Sequence, residues 1–132
     1  MRHKSKQNKK EVFCLIPARS KSKRIKDKNI QIINGLELFV HTIKFAKNFG
    51  NLEIWFSTDS KKYLNIAKKY IKVDSLRPKK LSSDHVKTYD VFKYELEKIE
   101  KQQNKKFKYL LLLQPTVPFR KKADLKKALK YI

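Results

Sequence analysis

The apolar residues of this chain fall in short runs that alternate with longer amphipathic stretches. Three runs, 11–16, 53–57 and 109–113, combine length and apolar character typical of buried strands, and 71–73 is a candidate for one more. Four stretches carry apolar residues at helical spacing, and these predict helices over 38–48, 61–70, 89–101 and 123–132. Ser60 and Asp90 are placed to cap two of these helices.

Strands that alternate with helices of this length predict parallel β-α-β units. We therefore expect an α/β fold, a three-layer sandwich around a mostly parallel sheet. Residues 11–132 are long enough for one domain with a modest core, and 1–10 are predicted to form a disordered basic tail. Few strands have accumulated by residue 132, so the domain is expected to be truncated.

Composition excludes several classes of protein. The longest apolar run, 109–113, is far shorter than the ~20 residues of a membrane-spanning helix, and no apolar stretch of signal-peptide type follows the N-terminus. We expect a cytoplasmic protein without membrane association. The single Cys14 cannot form an internal disulfide and is expected to be a small buried core residue.

The chain carries 34 Lys and Arg against 12 Asp and Glu, a net charge of +22. Such an excess attracts nucleic acid, anionic lipid or phosphorylated small molecules. A composition rich in Lys, Ile and Asn also produces a solvated basic surface with no ligand, and that interpretation stays open for most of the lysines.

The loop after the first predicted strand is the strongest candidate site. Pro17 ends the apolar run, and six cationic residues follow within eleven positions: Arg19, Lys21, Lys23, Arg24, Lys26 and Lys28. Ligands of open α/β sheets sit beyond the carboxyl ends of the strands. Because Arg and Lys are the usual partners of phosphate, the loop predicts a polyphosphate site; a solvated charge run is the alternative.

Polar residues also follow the other strands. Segment 57–60 contains Asp59, which suits a metal ion or ribose hydroxyl, although the segment would equally serve as a turn and helix cap. Segment 114–120 is stiffened by two prolines and presents Gln114, Thr116 and Arg120; a plain strand-to-helix connection is its alternative. Arg77 lies in the connection before the third helix. The histidines have no ligand spacing, and aromatic residues do not alternate with basic ones as in single-strand nucleic-acid platforms.

Four segments in order resemble the acylneuraminate cytidylyltransferases, the CMP-sialic acid synthetases. They are the stretch from Ile16-Pro17-Ala18-Arg19 to Lys28-Asn29-Ile30, Ser57-Thr58-Asp59-Ser60, Arg77-Pro78 with Leu81-Ser82-Ser83-Asp84, and Leu113-Gln114-Pro115-Thr116 with Pro118-Phe119-Arg120. The resemblance covers nearly all of 12–132. It implies a Rossmann-like nucleotidyltransferase that joins CTP to a nonulosonic acid such as N-acetylneuraminate and releases pyrophosphate.

The resemblance also implies roles for individual residues. Arg19 and Lys28 would be catalytic, stabilising charge at the α-phosphate. The expected nucleotide-binding residues are Arg19, Ser22, Lys23, Lys28, Asn29, Arg77 and Ser83. The expected substrate-binding residues are Gln114, Thr116, Pro118 and Arg120.

The chain departs from the family pattern in its first loop and in its extent. Lys21 and Arg24 stand where the family usually has Gly, which approaches phosphate more closely. The family's Mg²⁺ ligands and dimerisation element belong to a later half, so we expect no metal ligands here and no catalysis by this chain alone. The alternatives are a catalytically silent nucleotide-binding protein and, less favoured, a basic nucleic-acid-binding module.

Overall fold

A computed structural model of the protein describes residues 11–20, 27–73, 75–83, 85–116 and 120–130. The basic tail predicted for 1–10 lies outside these ranges. The elements within them are β1 (Val12–Pro17), β2 (Ile32–Ile33), β3 (Leu36–Glu37), α1 (Leu38–Phe49), β4 (Leu52–Ser57), α2 (Lys61–Ala67), α3 (Thr88–Gln103), β5 (Tyr109–Leu112) and α4 (Lys122–Lys130).

The main sheet is parallel, as the alternation of strands and helices predicts. β1 lies in the middle of the order β4-β1-β5, and both neighbours run parallel to it. Leu15 of β1 is in register with Trp55 on one side and Leu112 on the other. The ladder runs on past Pro17, because the next amide, that of Ala18, donates to the Ser57 carbonyl at 2.8 Å. All three strands therefore end at one edge of the sheet.

The alternating side chains of β1 supply both faces of the core. Cys14 and Ile16 pack into a cluster with α1 and α2, whereas Phe13 and Leu15 pack with Trp55 and α3. Successive residues of a strand point to opposite faces, so a continuously apolar strand needs cover on both sides. Helices on both faces of a parallel sheet give the three-layer α/β sandwich expected from the sequence.

A small hairpin, which the hydrophobic pattern did not predict, connects β1 to α1. β2 and β3 pair antiparallel across Asn34 and Gly35, whose φ angles are 49° and 82°. Two consecutive residues with positive φ make a type I′ turn, and Asn-Gly is its favoured sequence. Strands of two residues are too short to leave a periodic signal, so the turn dipeptide was the only available clue.

Two predictions for residues 61–73 are wrong. α2 ends at Ala67 rather than Tyr70, because the Tyr70 amide donates to Ala67 in a tighter turn. Residues 71–73 form no strand within the described chain; Val73 is instead buried against the α1–α2 cluster. Apolar contact with the helices, not ladder pairing, accounts for this short apolar run.

Two further expectations also differ from the structure. Ser60 caps α2 by accepting from the Tyr63 amide at 3.2 Å, as predicted, but Lys87 rather than Asp90 occupies the cap position of α3. Asp90 lies inside the first turn, where its charge complements the helix dipole. β5 is a strand, but it lies at an edge of the described sheet and leaves Leu110 54% exposed.

Among the described residues, no helix combines the length and apolar character needed to cross a bilayer.

Ile99 tests the α3 side of the core. Its side chain is fully buried in the cluster with Phe13 and Leu15. We expect Ile99→Ala to lower the free energy of unfolding by about 3 kcal/mol and Ile99→Val by about 1 kcal/mol, because the cost follows the cavity left behind. The matched control is Ile32→Ala, at a side chain that is 65% exposed. Urea unfolding measures all three, and equal losses at both positions would contradict this packing.

Cys14 gives a pH-linked test of the other face. Burial raises the pKa of its thiol to about 12, and the charge of Arg120 opposes this only in part. Because the thiolate is the reactive form and the pKa of the thiol rises from 9.0 to about 12, native protein at pH 8 should react with iodoacetamide about 1,000-fold more slowly than protein unfolded in urea. Mass spectrometry of the alkylated chain measures both rates. Similar rates would show that the thiol is accessible in the folded state.

Candidate functional site

A cleft of about 280 Å³ lies at the sheet edge where the strands end. Residues following β1, residues following β5 and the connection between α2 and α3 form its walls. The lining residues are Pro17, Arg19, Lys28, Asn29, Arg77, Leu81, Ser83, Val86, Thr88, Val91, Gln114, Pro115 and Thr116. The cleft therefore lies beyond the carboxyl ends of β1 and β5, which is where open α/β sheets bind ligands.

Most of the residues singled out in the sequence are brought together by this cleft. Seven of them line it: Arg19, Lys28, Asn29, Arg77, Ser83, Gln114 and Thr116. Arg120 is not among the described lining residues, and Ser22, Lys23 and Pro118 lie outside the described ranges. The shared location is an observation, whereas the role of each residue stays a prediction.

The described ends of the basic loop are held by hydrogen bonds. The amide and hydroxyl of Ser20 both donate to the Asp59 carboxylate, at 2.9 and 3.1 Å. The Asn29 side chain donates to the Arg19 carbonyl at 3.0 Å, and the Asp27 amide donates to Ser20 at 3.3 Å. Arg19 and Lys28 are therefore linked through their neighbours, although seven residues separate Arg19 from Asp27.

Tyr63 of α2 anchors the far end of this loop. Its hydroxyl donates to the Asp27 carboxylate at 2.9 Å, and its ring is fully buried beside Phe39. Asp27 adopts a left-handed conformation, with φ of 55°, just before the short 3-10 helix that begins at Lys28. Burial and the carboxylates of Asp27 and Asp59 raise the pKa of Tyr63, so the phenol remains a proton donor.

Arg77 is a buried cation in the wall of the cleft. Its side chain is only 5% exposed, and its guanidinium donates to the carbonyls of Leu81 and Ser57, both at 3.1 Å. Its Nε has no hydrogen-bond partner within the described chain. Burial lowers the pKa of Arg77, while the charges of Asp59 and Glu95 act in the opposite direction. A guanidinium that donates only to carbonyls retains a charge for an anionic or carbonyl-bearing ligand.

Sequence reasoning missed the role of Glu95. Its carboxylate is buried, with 3% of the residue exposed, and accepts a hydrogen bond from the Trp55 indole at 3.0 Å. Glu95 lies between Val91 and Ile99 on the buried stripe of α3. The available signal was a carboxylate at helical spacing between two core residues, because charged side chains are rarely buried unless they are paired. Here its charge raises the pKa of Arg77, against the effect of burial.

Arg120 connects the β5 loop to the helix layer. One guanidinium nitrogen donates to the Thr42 hydroxyl of α1 at 3.2 Å, and another donates to the Gln114 carbonyl. Thr42 is fully buried, and burial lowers the pKa of Arg120. In the described structure Arg120 supports the loop that carries Gln114 and Thr116, whereas its predicted contact with substrate stays a prediction.

The described residues do not fit a Mg²⁺ site. Both Asp59 oxygens accept from Ser20, and one Asp27 oxygen accepts from Tyr63. Within the described ranges, no three Asp, Glu, His or Cys side chains gather as metal ligands would. Lys28, Arg19 and Arg77 instead give the cleft a positive character, which suits a ligand with several phosphates.

A family model described as cytidylyltransferase matches residues 13–132. The N-acylneuraminate cytidylyltransferase of Streptococcus agalactiae is 37% identical over 123 residues, 90% of this chain and 28% of that protein. The CMP-N,N'-diacetyllegionaminic acid synthase of Legionella pneumophila is 38% identical over 121 residues, 89% of this chain and 51% of that protein.

The pseudaminic acid cytidylyltransferase of Campylobacter jejuni is 36% identical over 118 residues, 88% of this chain and 50% of its own length. The chain thus spans about half or less of the curated relatives it matches. A solved structure of CMP:2-keto-3-deoxy-manno-octonic acid synthetase complexed with CTP has a similar fold, with a TM-score of 0.69 and 20% identity. That match covers 91% of this chain and 46% of the other.

The bond between Arg120 and Thr42 can be measured with a double-mutant cycle. We expect Arg120→Ala and Thr42→Val to show a coupling of about 1 kcal/mol in the free energy of unfolding, because a charged donor loses its acceptor. The control cycle pairs Thr42→Val with Lys121→Ala, at the exposed neighbour. Urea unfolding gives both values. Coupling of similar size in the two cycles would contradict a specific bond.

Proposed function

This chain belongs to the cytidylyltransferase family, and we propose that its cleft binds CTP for the transfer of CMP to a nonulosonic acid. The observation that carries this proposal is the meeting of Arg19, Lys28, Asn29 and Arg77 in one cleft beyond β1. The curated relatives act on N-acylneuraminate, diacetyllegionaminic acid and pseudaminic acid, which supports an acceptor of that class.

In the proposed reaction the acceptor's hydroxyl oxygen attacks the α-phosphorus of CTP. The bond from that phosphorus to the bridging oxygen breaks, pyrophosphate leaves, and the hydroxyl proton is lost. Arg19 and Lys28 would neutralise the phosphates and the charge that develops at the α-phosphate. The hydroxyl proton passes to solvent water.

The remaining cleft residues divide between the two substrates. Arg77 and Ser83 would recognise the cytosine, and apolar neighbours such as Val86 and Val91 would contact its ring. Gln114 and Thr116 would face the acceptor, with Arg120 holding their loop in place. Positioning of two bound reactants supplies much of the acceleration in such transfers.

The proposed function also implies partners, a location, a metal ion and an assembly. CTP and a nonulosonic acid are the proposed partners, in the cytoplasm, with Mg²⁺ accompanying the nucleotide as is typical of the family. A homodimer is likewise the family's usual assembly.

The proposal predicts that CTP binding depends on the two cations nearest the end of β1. Arg19→Ala and Lys28→Ala should each weaken CTP affinity about 10- to 100-fold, because a charge-assisted hydrogen bond contributes about 1.5–3 kcal/mol. The matched control is Lys62→Ala, at an exposed residue of α2 that does not line the cleft. Isothermal titration calorimetry measures the three affinities.

Unchanged affinity in both variants would remove these residues from the site. Pyrophosphate release on addition of N-acetylneuraminate separates a transferase from a silent nucleotide-binding protein. Salt separates both from a nucleic-acid-binding module, because affinity for DNA through many phosphate contacts falls about 10³-fold or more between low and moderate salt.

A further inference from the structure

Asp59 holds the first loop by a pair of bonds. Its two carboxylate oxygens accept separately from the amide and the hydroxyl of Ser20, the residue next to Arg19. Asp59 lies two residues after the end of β4, and the Ser60 cap of α2 comes next. The bonds to Asp59 therefore fix Ser20 relative to the end of β4. The last residues of β4 are buried, so this end of the strand cannot shift independently of the sheet.

Tyr63 holds the same loop from its other described end. Its hydroxyl donates to Asp27, which precedes Lys28, while its ring is enclosed by Phe39 and the rest of the α1–α2 cluster. A buried aromatic ring with one polar contact is a rigid anchor, because both of its side-chain torsions are fixed by packing. Asp59 and Tyr63 thus fasten the residues that flank Arg19 and Lys28 to one structural unit.

Two cations placed around one ligand repel each other, and long basic side chains lose conformational freedom when they bind. Holding their backbones in place before the ligand arrives reduces that cost, which is the general benefit of a preorganised site. The bonds to Ser20 and Asp27 act on backbone positions one residue away from each cation.

We propose that Asp59 and Tyr63 are positioning residues that set Arg19 and Lys28 for the phosphates of the nucleotide. This inference rests on the proposed function and deepens it. Neither residue is among the lining residues of the cleft, so each acts through Ser20 or Asp27. The inference also assigns Asp59 a role other than that of a metal or ribose ligand.

Two substitutions of Asp59 can distinguish an effect of the position of Ser20 from an effect of the Asp59 charge. In Asp59→Asn the side-chain oxygen can still accept from the Ser20 amide, while the new NH₂ group donates to the Ser20 hydroxyl, which is also an acceptor. Both bonds survive, but the negative charge is lost. In Asp59→Ala both bonds and the charge are lost. A positioning role predicts that Asn substitutes for Asp, whereas a charge or metal-ligand role predicts that it does not.

The experiment is calorimetric titration of the whole 132-residue chain with CTP and, separately, with CMP. CMP retains the base, the ribose and one phosphate, so it reports on cleft integrity without the two outer phosphates. In Asp59→Ala the ratio of CTP to CMP affinity should fall on the order of 10- to 100-fold, the cost of misplacing a binding group by about 1 Å. In Asp59→Asn that ratio should stay within about 3-fold of wild type, since both bonds can form.

Tyr63→Phe provides a second variant that keeps the buried ring and removes only the bond to Asp27. Its CTP to CMP ratio should fall on the order of 10-fold, since the hydroxyl is the only group removed. The matched controls are Tyr70→Phe, at the partly exposed end of the α2 turn, and Asp124→Ala, at an exposed residue of α4. Both should leave the ratio unchanged. If Asp59→Ala does not fold, Tyr63→Phe and Asp59→Asn carry the test.

An unchanged ratio in Tyr63→Phe and in folded Asp59→Ala would overturn the inference while leaving the proposed function intact. A loss in Asp59→Asn as large as that in Asp59→Ala would overturn it too, because charge rather than position would then be responsible. Wild-type protein that binds neither nucleotide would overturn the proposed function, and the inference would fall with it.

Discussion

The central position of β1 determines where everything else in this molecule lies. Its backbone bonds to β4 on one side and β5 on the other, and its alternating side chains supply the cores on both faces of the sheet. Because both ladders are parallel, the chain leaves all three strands at the same edge. The cationic loop, the Asp59 turn and the Gln114 loop meet there as a consequence of strand pairing. A change that weakens the pairing of β1 would therefore separate the cleft residues as well as destabilise the fold.

The cleft contains a cation, Arg77, whose burial lowers the stability of the fold, and its neighbours reduce that loss. Arg77 is buried with carbonyl partners and an unpartnered Nε, and a buried charge of this kind is expensive for a folded protein to hold. The charge of Glu95, whose carboxylate accepts a hydrogen bond from the Trp55 indole, offsets part of that cost. The fold thus keeps a cation in the wall of the cleft at a cost in stability. Such local conflicts between stability and placement are expected at functional sites.

Much of this was predictable from the residues. Runs of apolar residues located β1, β4 and β5, and polar residues at their ends located the cleft, because strand ends and hydrophobic periodicity are local properties of a sequence. The family resemblance added the cytidylyltransferase assignment, which the family-model match supports. The bonds of Asp59 to Ser20 and of Tyr63 to Asp27 were not predictable, since partners 39 and 36 residues apart leave no periodic signal. The strand expected at 71–73 failed for the related reason that burial against helices and pairing in a sheet demand the same apolar residues.

The outer side of β5 has a consequence for handling the protein. Within the described chain β5 pairs with a strand on one side alone, and that strand is β1. The side chain of Leu110 in β5 is more than half exposed. An unpaired strand edge with an apolar side chain is a template for intermolecular pairing. The net charge of +22 opposes such pairing through mutual repulsion between molecules, a force that dissolved salt weakens. The excess of basic over acidic residues therefore opposes self-association of the protein, and concentrated salt would weaken that effect.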